Sequence, residues 1–271
     1  MRADLHSHTK YSDGTCTVRE VMQMAKEHNV DILAITDHDC FDGAQEAYEL
    51  QEEFGLRIIY GMELSTYSND ESIHVLAYYN KPLGGGVLFD LLNNQRLNRK
   101  KRAYEILALL KKHFDIDLDA KFIDEKHSVT RGTIANEIIK QGYKYDKETI
   151  FKKILGDSCP CFIPSTKMST EEGIKLILES GGLPVLAHPC LYKKNCIEDL
   201  IKLGIKGIEA VYPRKENRET KFRDIARKYN LVVTAGSDFH SLNDYSHGNV
   251  GDSVIKDLDV RKFLKVLENE Y

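Results

Sequence analysis

The stretch ADLHSHTKYSDG, residues 3–14, places two histidines and an aspartate directly after a short apolar strand candidate. In an extended His-Ser-His segment, alternate side chains point to the same side, so His6 and His8 can face one ion while Ser7 points away. Imidazole and carboxylate groups together are ligands that Zn, Mn and Fe accept. The pattern therefore predicts a metal site at the end of the first strand.

Short apolar runs alternate with helical patterns along the chain, and this alternation predicts an α/β fold with a largely parallel sheet. The strand candidates are Ala3–Leu5, Ile32–Thr36, Arg57–Gly61, Ile73–Tyr78, Pro184–Ala187, Gly207–Val211 and Leu231–Ala235. The helix candidates are Thr17–His28, Gly43–Glu53, Leu92–His113, Arg131–Gln141, Thr170–Ser180, Ile197–Leu203, Glu216–Tyr229 and Val260–Asn269. Ser169 and Glu172 form a capping-box pattern at the start of the Thr170 helix.

Composition excludes several classes of protein. The chain has 271 residues, of which 42% are hydrophobic, and its formal net charge is −4. This charge gives no strong overall attraction to a nucleic-acid duplex or to an anionic membrane. No apolar run is long enough to span a bilayer, and the polar residues from Asp4 onward argue against a signal peptide. The six cysteines are interpreted as reduced thiols of a cytoplasmic protein.

Histidine and acidic side chains lie within or directly after every strand candidate. They are His6, His8, Asp37, His38, Glu63, His74, His188, Glu209, Asp238 and His240. Because the carboxyl ends of parallel strands in an α/β barrel meet at one mouth, we expect most of these side chains to converge. They outnumber the ligands of one ion, so the sequence predicts two or three divalent ions of Mn, Fe or Zn. The remaining histidines lack this placement and are predicted to be surface residues: His28, His113, His127 and His247.

Six motifs in fixed order, DLHSH…SDG, ITDHD, GME, HVLAY, LAHP and GSDFH, resemble the PHP (polymerase and histidinol phosphatase) family of metal-dependent phosphoesterases. The resemblance covers nearly the whole chain. It implies a distorted seven-stranded (β/α)7 barrel formed by residues 1–80 and 168–271. The stretch 81–167 begins with Pro82 and three glycines and then reads as mostly helical. We interpret it as a helical insertion that covers the active site.

The resemblance also implies a trinuclear metal site. One ion would bind to His6, His8, Glu63 and Asp238. A second would bind to Glu63 as a bridge and to His74 and His188. A third would bind to Asp13, His38 and His240. Asp4 and Asp37 are expected to orient neighbouring histidines through hydrogen bonds, and Asp13, His188 and His240 are candidates for proton transfer to the leaving group.

Within the family, the insertion resembles that of small stand-alone phosphatases, which include 3',5'-nucleoside bisphosphate phosphatases and 5'-to-3' oligonucleotide exonucleases. The segments QRLNRKKRAYEIL and VTRGTIANEII resemble the insertion helices of that branch. Arg96, Arg99 and Arg131 would then bind a substrate phosphate, for which the planar guanidinium is suited. The segment around Arg131 lacks the RPH form of the branch, which leaves the substrate open. Tyr212 either lines the pocket or packs in the core.

These features imply metal-assisted hydrolysis of phosphate monoesters. The expected substrate is a small phosphorylated molecule, the 3'-phosphate of a nucleoside 3',5'-bisphosphate, with short single-stranded oligonucleotides as further substrates. Three alternatives stay open: a histidinol-phosphate phosphatase with the same metal site, a proofreading domain that acts in trans on a polymerase, and a non-catalytic metal-binding regulatory module. The intact set of ligand residues argues against the last of these.

Overall fold

The computed structural model describes residues 1–125, 129–164, 168–242 and 247–271. The chain divides into two compact units. The first, called the barrel unit here, comprises Met1–Asp90 and Lys167–Tyr271, and the second, the helical unit, comprises Leu91–Thr166. The helical unit thus begins later than the insertion expected at residues 81–167.

The secondary structure alternates between strands and helices in the barrel unit. The strands are β1 Arg2–Asp4, β2 Ile32–Ile35, β3 Arg57–Ser68, β4 Glu71–Tyr79, β5 Leu183–Leu186, β6 Gly207–Val211, β7 Val232–Ala235 and β8 Ile255–Lys256. The helices of the chain are α1 Val18–Glu27, α2 Asp42–Phe54, α3 Val87–Phe114, α4 Lys121–Glu125, α5 Arg131–Lys140, α6 Lys147–Ile150, α7 Thr170–Glu179, α8 Ile197–Lys202, α9 Glu219–Tyr229 and α10 Asp257–Glu270. Every strand and helix predicted from the sequence is present, although β3 and α3 extend well beyond their predicted bounds.

The strands form one eight-stranded sheet in the order β7-β6-β5-β4-β3-β2-β1-β8. The chain beyond β7 then pairs with the chain beyond β1: Leu5 N donates to Ala235 O at 3.0 Å, and His8 N donates to Phe239 O at 2.9 Å. These bonds nearly close the sheet into a barrel, which confirms the α/β barrel class. The eighth strand was not predicted, because two residues that pair antiparallel with β1 carry no periodic pattern.

The sheet is largely parallel, as predicted, because β1, β2, β3, β5, β6 and β7 run in one direction and only β4 and β8 run in the other. β4 pairs antiparallel with both β3 and β5. β3 and β4 form a long hairpin whose turn residues, Asn69 and Asp70, both have positive φ, at 47° and 55°. This geometry matches the right-handed twist of the paired strands. Because β4 runs backwards, its early residue His74 lies opposite Ser65, near the end of β3.

Helix caps and an apolar interior stabilise the barrel unit. The predicted capping box at α7 is present, with the Ser169 hydroxyl accepting from Glu172 N at 3.2 Å. An equivalent box joins Thr17 and Glu20 at α1. Apolar side chains of β1, β4, β5 and α10 form a buried cluster. The polar strand-end residues described below are therefore supported by an ordinary packed core.

The helical unit has its own apolar core. Ile106 and Leu110 of α3 pack with Ile134 and Ile138 of α5 and with short helical turns that follow. The described part of this unit contains no strand, as predicted. Helices α4 and α6 were not predicted, because four or five residues are too few to show a helical period. Among the residues that the structure describes, no helix is long and apolar enough to cross a bilayer.

Candidate metal centre

Four ligand atoms from the segment after β1, from β3 and from the segment after β7 meet in what we call the first group: His6 Nε2, His8 Nε2, Glu63 Oε2 and Asp238 Oδ1. The two imidazole nitrogens are 3.1 Å apart. Glu63 Oε2 lies 3.4 Å from the His6 nitrogen and 3.2 Å from the His8 nitrogen. Asp238 Oδ1 lies 3.2 Å and 3.1 Å from the same two atoms. Ligands of a zinc-sized ion at bond lengths near 2.1 Å lie about 3.0–3.5 Å from one another, so these residues fit a divalent ion.

The second group surrounds the other oxygen of Glu63. Glu63 Oε1 lies 2.9 Å from His74 Nδ1 and 3.0 Å from His188 Nε2. His38 Nδ1 lies 3.1 Å from Glu63 Oε2. That geometry is not a hydrogen bond, and among the described residues His38 Nδ1 has no hydrogen-bond partner. A buried nitrogen facing a carboxylate in this way suits a shared cation, and the two oxygens of Glu63 would allow it to contribute to two ions.

The third group lies around Asp13, which is the most exposed carboxylate among the proposed metal ligands, with 30% of its side chain exposed. His240 Nε2 is 3.3 Å from Asp13 Oδ1. His38 Nε2 is 3.6 Å from Asp13 Oδ2, and His8 Nδ1 is 3.8 Å from Oδ1. His38 and His8 therefore each present one ring nitrogen to Asp13 and the other to Glu63. The structure thus brings together all nine residues proposed from the resemblance as metal ligands.

Buried carboxylates dominate the electrostatics of the centre. Burial opposes protonation of His6, but Asp238, Glu209 and Glu63 outweigh it and raise its pKa well above the ordinary value. Burial is likewise outweighed at His8, where Asp238 and Glu63 raise the pKa to about 10. Without ions, protons on these histidines balance the carboxylates. Divalent cations would replace those protons, since imidazole binds metal only in its neutral form.

The same field acts on the acidic groups. Burial alone would raise the pKa of Glu63, but His38, His74 and His6 hold it well below the usual range. Asp238 is held well below its usual pKa by His6, His8 and His240 against the same burial effect. Burial lowers the pKa of His38 to about 4, with the charges of His8 and His74 adding to the effect. Ionised carboxylates and a neutral imidazole are the protonation states that a metal site needs.

Asp4 and Asp37 support the centre indirectly. Asp4 accepts from the backbone N–H groups of Ser237 at 3.0 Å and Gly251 at 2.8 Å, and from His6 N at 3.4 Å. Burial raises its pKa to about 6. Asp37 accepts from Thr9 N at 2.8 Å and from the Ser12 hydroxyl. Neither carboxylate bonds a histidine ring among the described contacts: Asp4 orients the His6 backbone, and Asp37 holds Ser12, whose hydroxyl is 3.4 Å from His8 Nδ1.

Sequence reasoning assigned no role to two residues that contact the centre. Glu209 was counted among the strand acids, and its carboxylate contacts both His6 and His188. His247 was predicted to be a surface residue, which is wrong: its Nε2 lies 3.6 Å from Asp238 Oδ2, and its ring stacks on His240 at 4.4 Å. Glu209 could have been recognised as a site residue from the sequence, because it is an acidic residue within an otherwise apolar strand. No local sequence pattern could have indicated His247, because only the tertiary fold brings it close to Asp238.

The other placements are simpler. Tyr212 is buried and its hydroxyl donates to Asp238 Oδ2 at 2.8 Å, so it holds a ligand residue rather than only packing. His28 and His113 are exposed, as predicted. His127 lies outside the described residues.

The candidate phosphate-binding arginines lie in the helical unit. Arg131 is the first residue of α5, and its Nη1 donates to Leu155 O at 3.1 Å and to Asp157 Oδ1 at 2.8 Å. Arg96 and Arg99 are partly exposed residues of α3. Arg102, which was not among the candidates from the sequence, lies close enough to Arg131 and Arg99 to feel their charges. Burial lowers its pKa, and so does the positive charge of Arg131 and Arg99.

The chain is similar to a known family and to several known proteins. A family model described as the PHP domain matches residues 4–153. The chain is 28% identical over 247 residues to a 3',5'-nucleoside bisphosphate phosphatase of Chromobacterium violaceum, covering 88% of this chain and 87% of the relative. It is 32% identical over 248 residues to the 5'-3' exoribonuclease Rnm of Escherichia coli strain K12, covering 88% of this chain and 84% of the relative.

A solved structure agrees with the fold. A protein of Bifidobacterium adolescentis, assigned as a metal-dependent phosphoesterase, superposes with a TM-score of 0.83 at 28% sequence identity. The superposition covers 97% of this chain and 95% of that one. The likeness therefore extends over both units and is not confined to one motif.

Proposed function

Because the chain belongs to the PHP domain family of metal-dependent phosphoesterases, we propose that it removes the 3'-phosphate of nucleoside 3',5'-bisphosphates and also cleaves short single-stranded oligonucleotides. The family makes the chain a hydrolase. The observation that carries the metal-dependent hydrolysis is the first group, where two buried imidazole nitrogens lie 3.1–3.4 Å from each other and from two carboxylate oxygens. The names of two relatives, a nucleotide phosphatase and an exoribonuclease, support a nucleotide as the substrate.

The nine clustered residues would hold the ions. The first group binds one ion, Glu63 with His74 and His188 binds a second, and Asp13 with His38 and His240 binds a third. Mixed imidazole and carboxylate ligands are compatible with Mn, Fe or Zn. Bound divalent ions supply Lewis-acid stabilisation of phosphoryl oxygens and lower the pKa of a water molecule, which is the chemistry that phosphate-ester hydrolysis requires.

The chain's own residues orient the reacting groups. His38 and His8 each face two carboxylates through their two nitrogens, which fixes the spacing between neighbouring groups. Glu63 is almost fully buried, so its two oxygens keep their places between histidines of different strands. Such fixed charges cost no reorganisation when a phosphoryl group binds and reacts.

Geometry distinguishes the three candidates for proton transfer. His240 Nδ1 donates to Asp238 O at 2.7 Å, so its Nε2 faces Asp13 on the open side of the centre. His188 Nε2 is turned towards the buried Glu63. His188 is therefore assigned to the ions alone, whereas Asp13 and His240 are candidates for proton transfer to the leaving oxygen of the substrate only when the third ion does not occupy them.

The arginine cluster is assigned to a second phosphate. Arg99, Arg102 and Arg131 lie close enough for the positive charges of Arg131 and Arg99 to lower the pKa of Arg102. A phosphate group is an anion that such guanidinium groups bind through charge-assisted hydrogen bonds. Arg96, one turn before Arg99 on α3, is the fourth member. A nucleoside bisphosphate offers two such anions, whereas histidinol phosphate offers one anion and an amine.

The test is phosphate release from adenosine 3',5'-bisphosphate, with histidinol phosphate and adenosine 5'-monophosphate in parallel, each with Mn or Zn added. We expect the bisphosphate to be the best substrate and the product to be adenosine 5'-monophosphate, identified by chromatography. A 5'-labelled trinucleotide tests the exonuclease activity in the same buffers. Preferential hydrolysis of histidinol phosphate would contradict the proposal.

Variants separate phosphate recognition from metal chemistry. Arg102→Ala and Arg131→Ala should each raise KM for the bisphosphate by about 10-fold, the value of one lost charge-assisted hydrogen bond. Hydrolysis of a substrate with a single phosphate should change little. The matched control is Arg19→Ala, which removes an exposed arginine paired with Glu53 on the barrel unit. An unchanged KM in both variants would refute the arginine assignment.

A further inference from the structure

Glu209 of β6 is completely buried and contacts residues of two metal-binding groups. Its Oε1 lies 3.0 Å from His6 Nδ1, and its Oε2 accepts from the backbone N–H of His188 at 2.7 Å. His6 belongs to the first group and His188 to the second. We propose that Glu209 is a positioning residue that directs the metal-binding nitrogen of His6 and anchors His188, an inference that rests on the proposed metal-dependent function.

The contact with His6 selects one tautomer of the neutral ring. An ionised carboxylate only accepts hydrogen bonds, so the ring nitrogen beside Glu209 must carry the hydrogen. That nitrogen is Nδ1, which leaves the lone pair on Nε2. The Nε2 atom is the one that faces His8, Glu63 and Asp238. A carboxylate behind a metal-binding histidine commonly acts in this way.

The contact with His188 holds an unusual backbone conformation. His188 has φ 26° and ψ 59°, a left-handed conformation that residues other than glycine rarely adopt. It directly follows β5, where the turn brings its Nε2 to Glu63. A buried charge-assisted hydrogen bond from its N–H to Glu209 stabilises this turn. One carboxylate thus sets the ring tautomer of a histidine after β1 and a backbone turn after β5.

The backbone around Glu209 and His6 leaves little space for another hydrogen-bond partner. Gly236 approaches the same pair so closely that a Cβ at this position would lie 2.1 Å from His6 Cβ and 2.8 Å from Glu209 Oε1. The close backbone contact encloses the carboxylate and the imidazole. His6 Nδ1 therefore has little room for a hydrogen-bond partner other than Glu209, and the residue at position 209 decides the tautomer of His6.

Glu209→Gln is the informative substitution because it preserves shape. The amide oxygen of the new side chain can still accept a hydrogen bond from His188 N. The flipped amide is unfavourable, because its NH2 group would then face the N–H of His188, and both groups are donors. In the favoured orientation the amide nitrogen faces His6 Nδ1 and donates to it. This forces the hydrogen onto Nε2, where it blocks metal binding at the first group. Glu209→Ala removes both contacts and should affect the first and second groups together.

The experiment measures metal binding without substrate. Metal-stripped protein is dialysed against Zn²⁺, the bound metal is counted by plasma mass spectrometry, and affinity is measured by competition with a chelator. For Glu209→Gln we expect at least 10-fold weaker binding of one ion, and for Glu209→Ala weaker binding of two. Glu137→Gln, a buried acid of the helical unit, is the matched control and should bind metal like the parent protein. Unchanged stoichiometry and affinity in Glu209→Gln would overturn the assignment.

A second measurement needs no variant and so covers the case in which Glu209→Gln fails to fold. In the zinc-loaded parent protein, long-range ¹H–¹⁵N correlation should show His6 protonated at Nδ1 and not at Nε2. The reverse pattern overturns the assignment. Failure of the nucleotide proposal is distinguishable, because a protein with this signature that does not hydrolyse adenosine 3',5'-bisphosphate contradicts only the substrate.

Discussion

The candidate metal centre of the barrel unit and the core of the helical unit bury opposite kinds of side chain. The centre of the barrel unit buries His6, Glu63 and Asp238, whereas the core of the helical unit buries Ile106 and Ile138. Burial of apolar surface stabilises a fold by about 25 cal/mol per Å². Burial of ionisable groups is unfavourable unless each has a partner of opposite charge. Apolar packing therefore stabilises the helical unit, whereas the centre of the barrel unit contains buried charged groups that bound ions would balance.

This contrast predicts that variants of the two clusters change different measurements. Loss of a ligand residue should affect catalysis far more than folding. Loss of an isoleucine should affect folding and leave metal content unchanged. The following experiments test that separation.

The largest effect is expected from Asp238→Asn. The substitution keeps the shape of the side chain but removes a charge from the first group, and we expect hydrolysis to fall by at least about 10³-fold. The melting temperature of metal-stripped protein should also fall, because Asp238 balances the protonated His6 and His8 in that form. Asp224→Asn, on the exposed face of α9, is the control. Near-normal turnover by the purified variant would show that Asp238 is not part of the site.

Ile138→Ala should weaken the helical unit. Its side chain is fully buried, so truncation leaves a cavity and should lower the free energy of unfolding by about 2–5 kcal/mol. The neighbouring Ile139 is 42% exposed, and Ile139→Ala is the matched control. Denaturant titration measures both, and metal content should stay constant in each. A loss of bound metal in Ile138→Ala would break the proposed separation between the units.

Metal removal should make stability depend on pH. The pKa of His8 is raised in the folded protein from 6.5 to about 10, so its contribution is complete below 6.5 and is lost as the pH rises through about 10. The lowered pKa values of Glu63 and Asp238 act in the opposite direction, and their contribution is lost as the pH falls below the ordinary carboxyl range.

The melting temperature of chelated protein should therefore fall between pH 7 and about pH 10. Metal-loaded protein should change less, because ions rather than protons balance the carboxylates there. Thermal unfolding at several pH values, with and without Zn²⁺, checks this expectation. Parallel curves for the two forms would mean that the histidines do not exchange protons for metal.

The smallest effect is expected from Tyr212→Phe. The substitution removes only the hydroxyl that donates to Asp238 Oδ2 at 2.8 Å. One neutral donor to a carboxylate contributes about 1.5–3 kcal/mol, so metal affinity or turnover should fall by about 10- to 150-fold. Tyr229→Phe, at the end of α9, provides the control. A variant that matches the parent protein in both measurements would reduce Tyr212 to a packing residue.

Much of the fold and of the centre could be predicted from local patterns. Apolar runs marked seven strands. His6, Glu63 and Asp238 could be identified because each lies within a strand or shortly after one. The reversed β4 could not be read from its own residues, because a strand pairs equally well in either direction until its neighbours are placed. His74 was nevertheless identified as a candidate, although it reaches the centre near the beginning of its strand and not after its end.

What the sequence by itself determined is the kind of chemistry: histidines and carboxylates at strand ends, and arginines in a helical insertion. What only the tertiary structure decided is which of those side chains meet. Glu209 faces His6 across 203 positions of chain, and His247 reaches Asp238 from a loop. Hydrogen bonds and ion pairs depend on atoms separated by about 3 Å, and such distances between remote residues exist only once the barrel has closed.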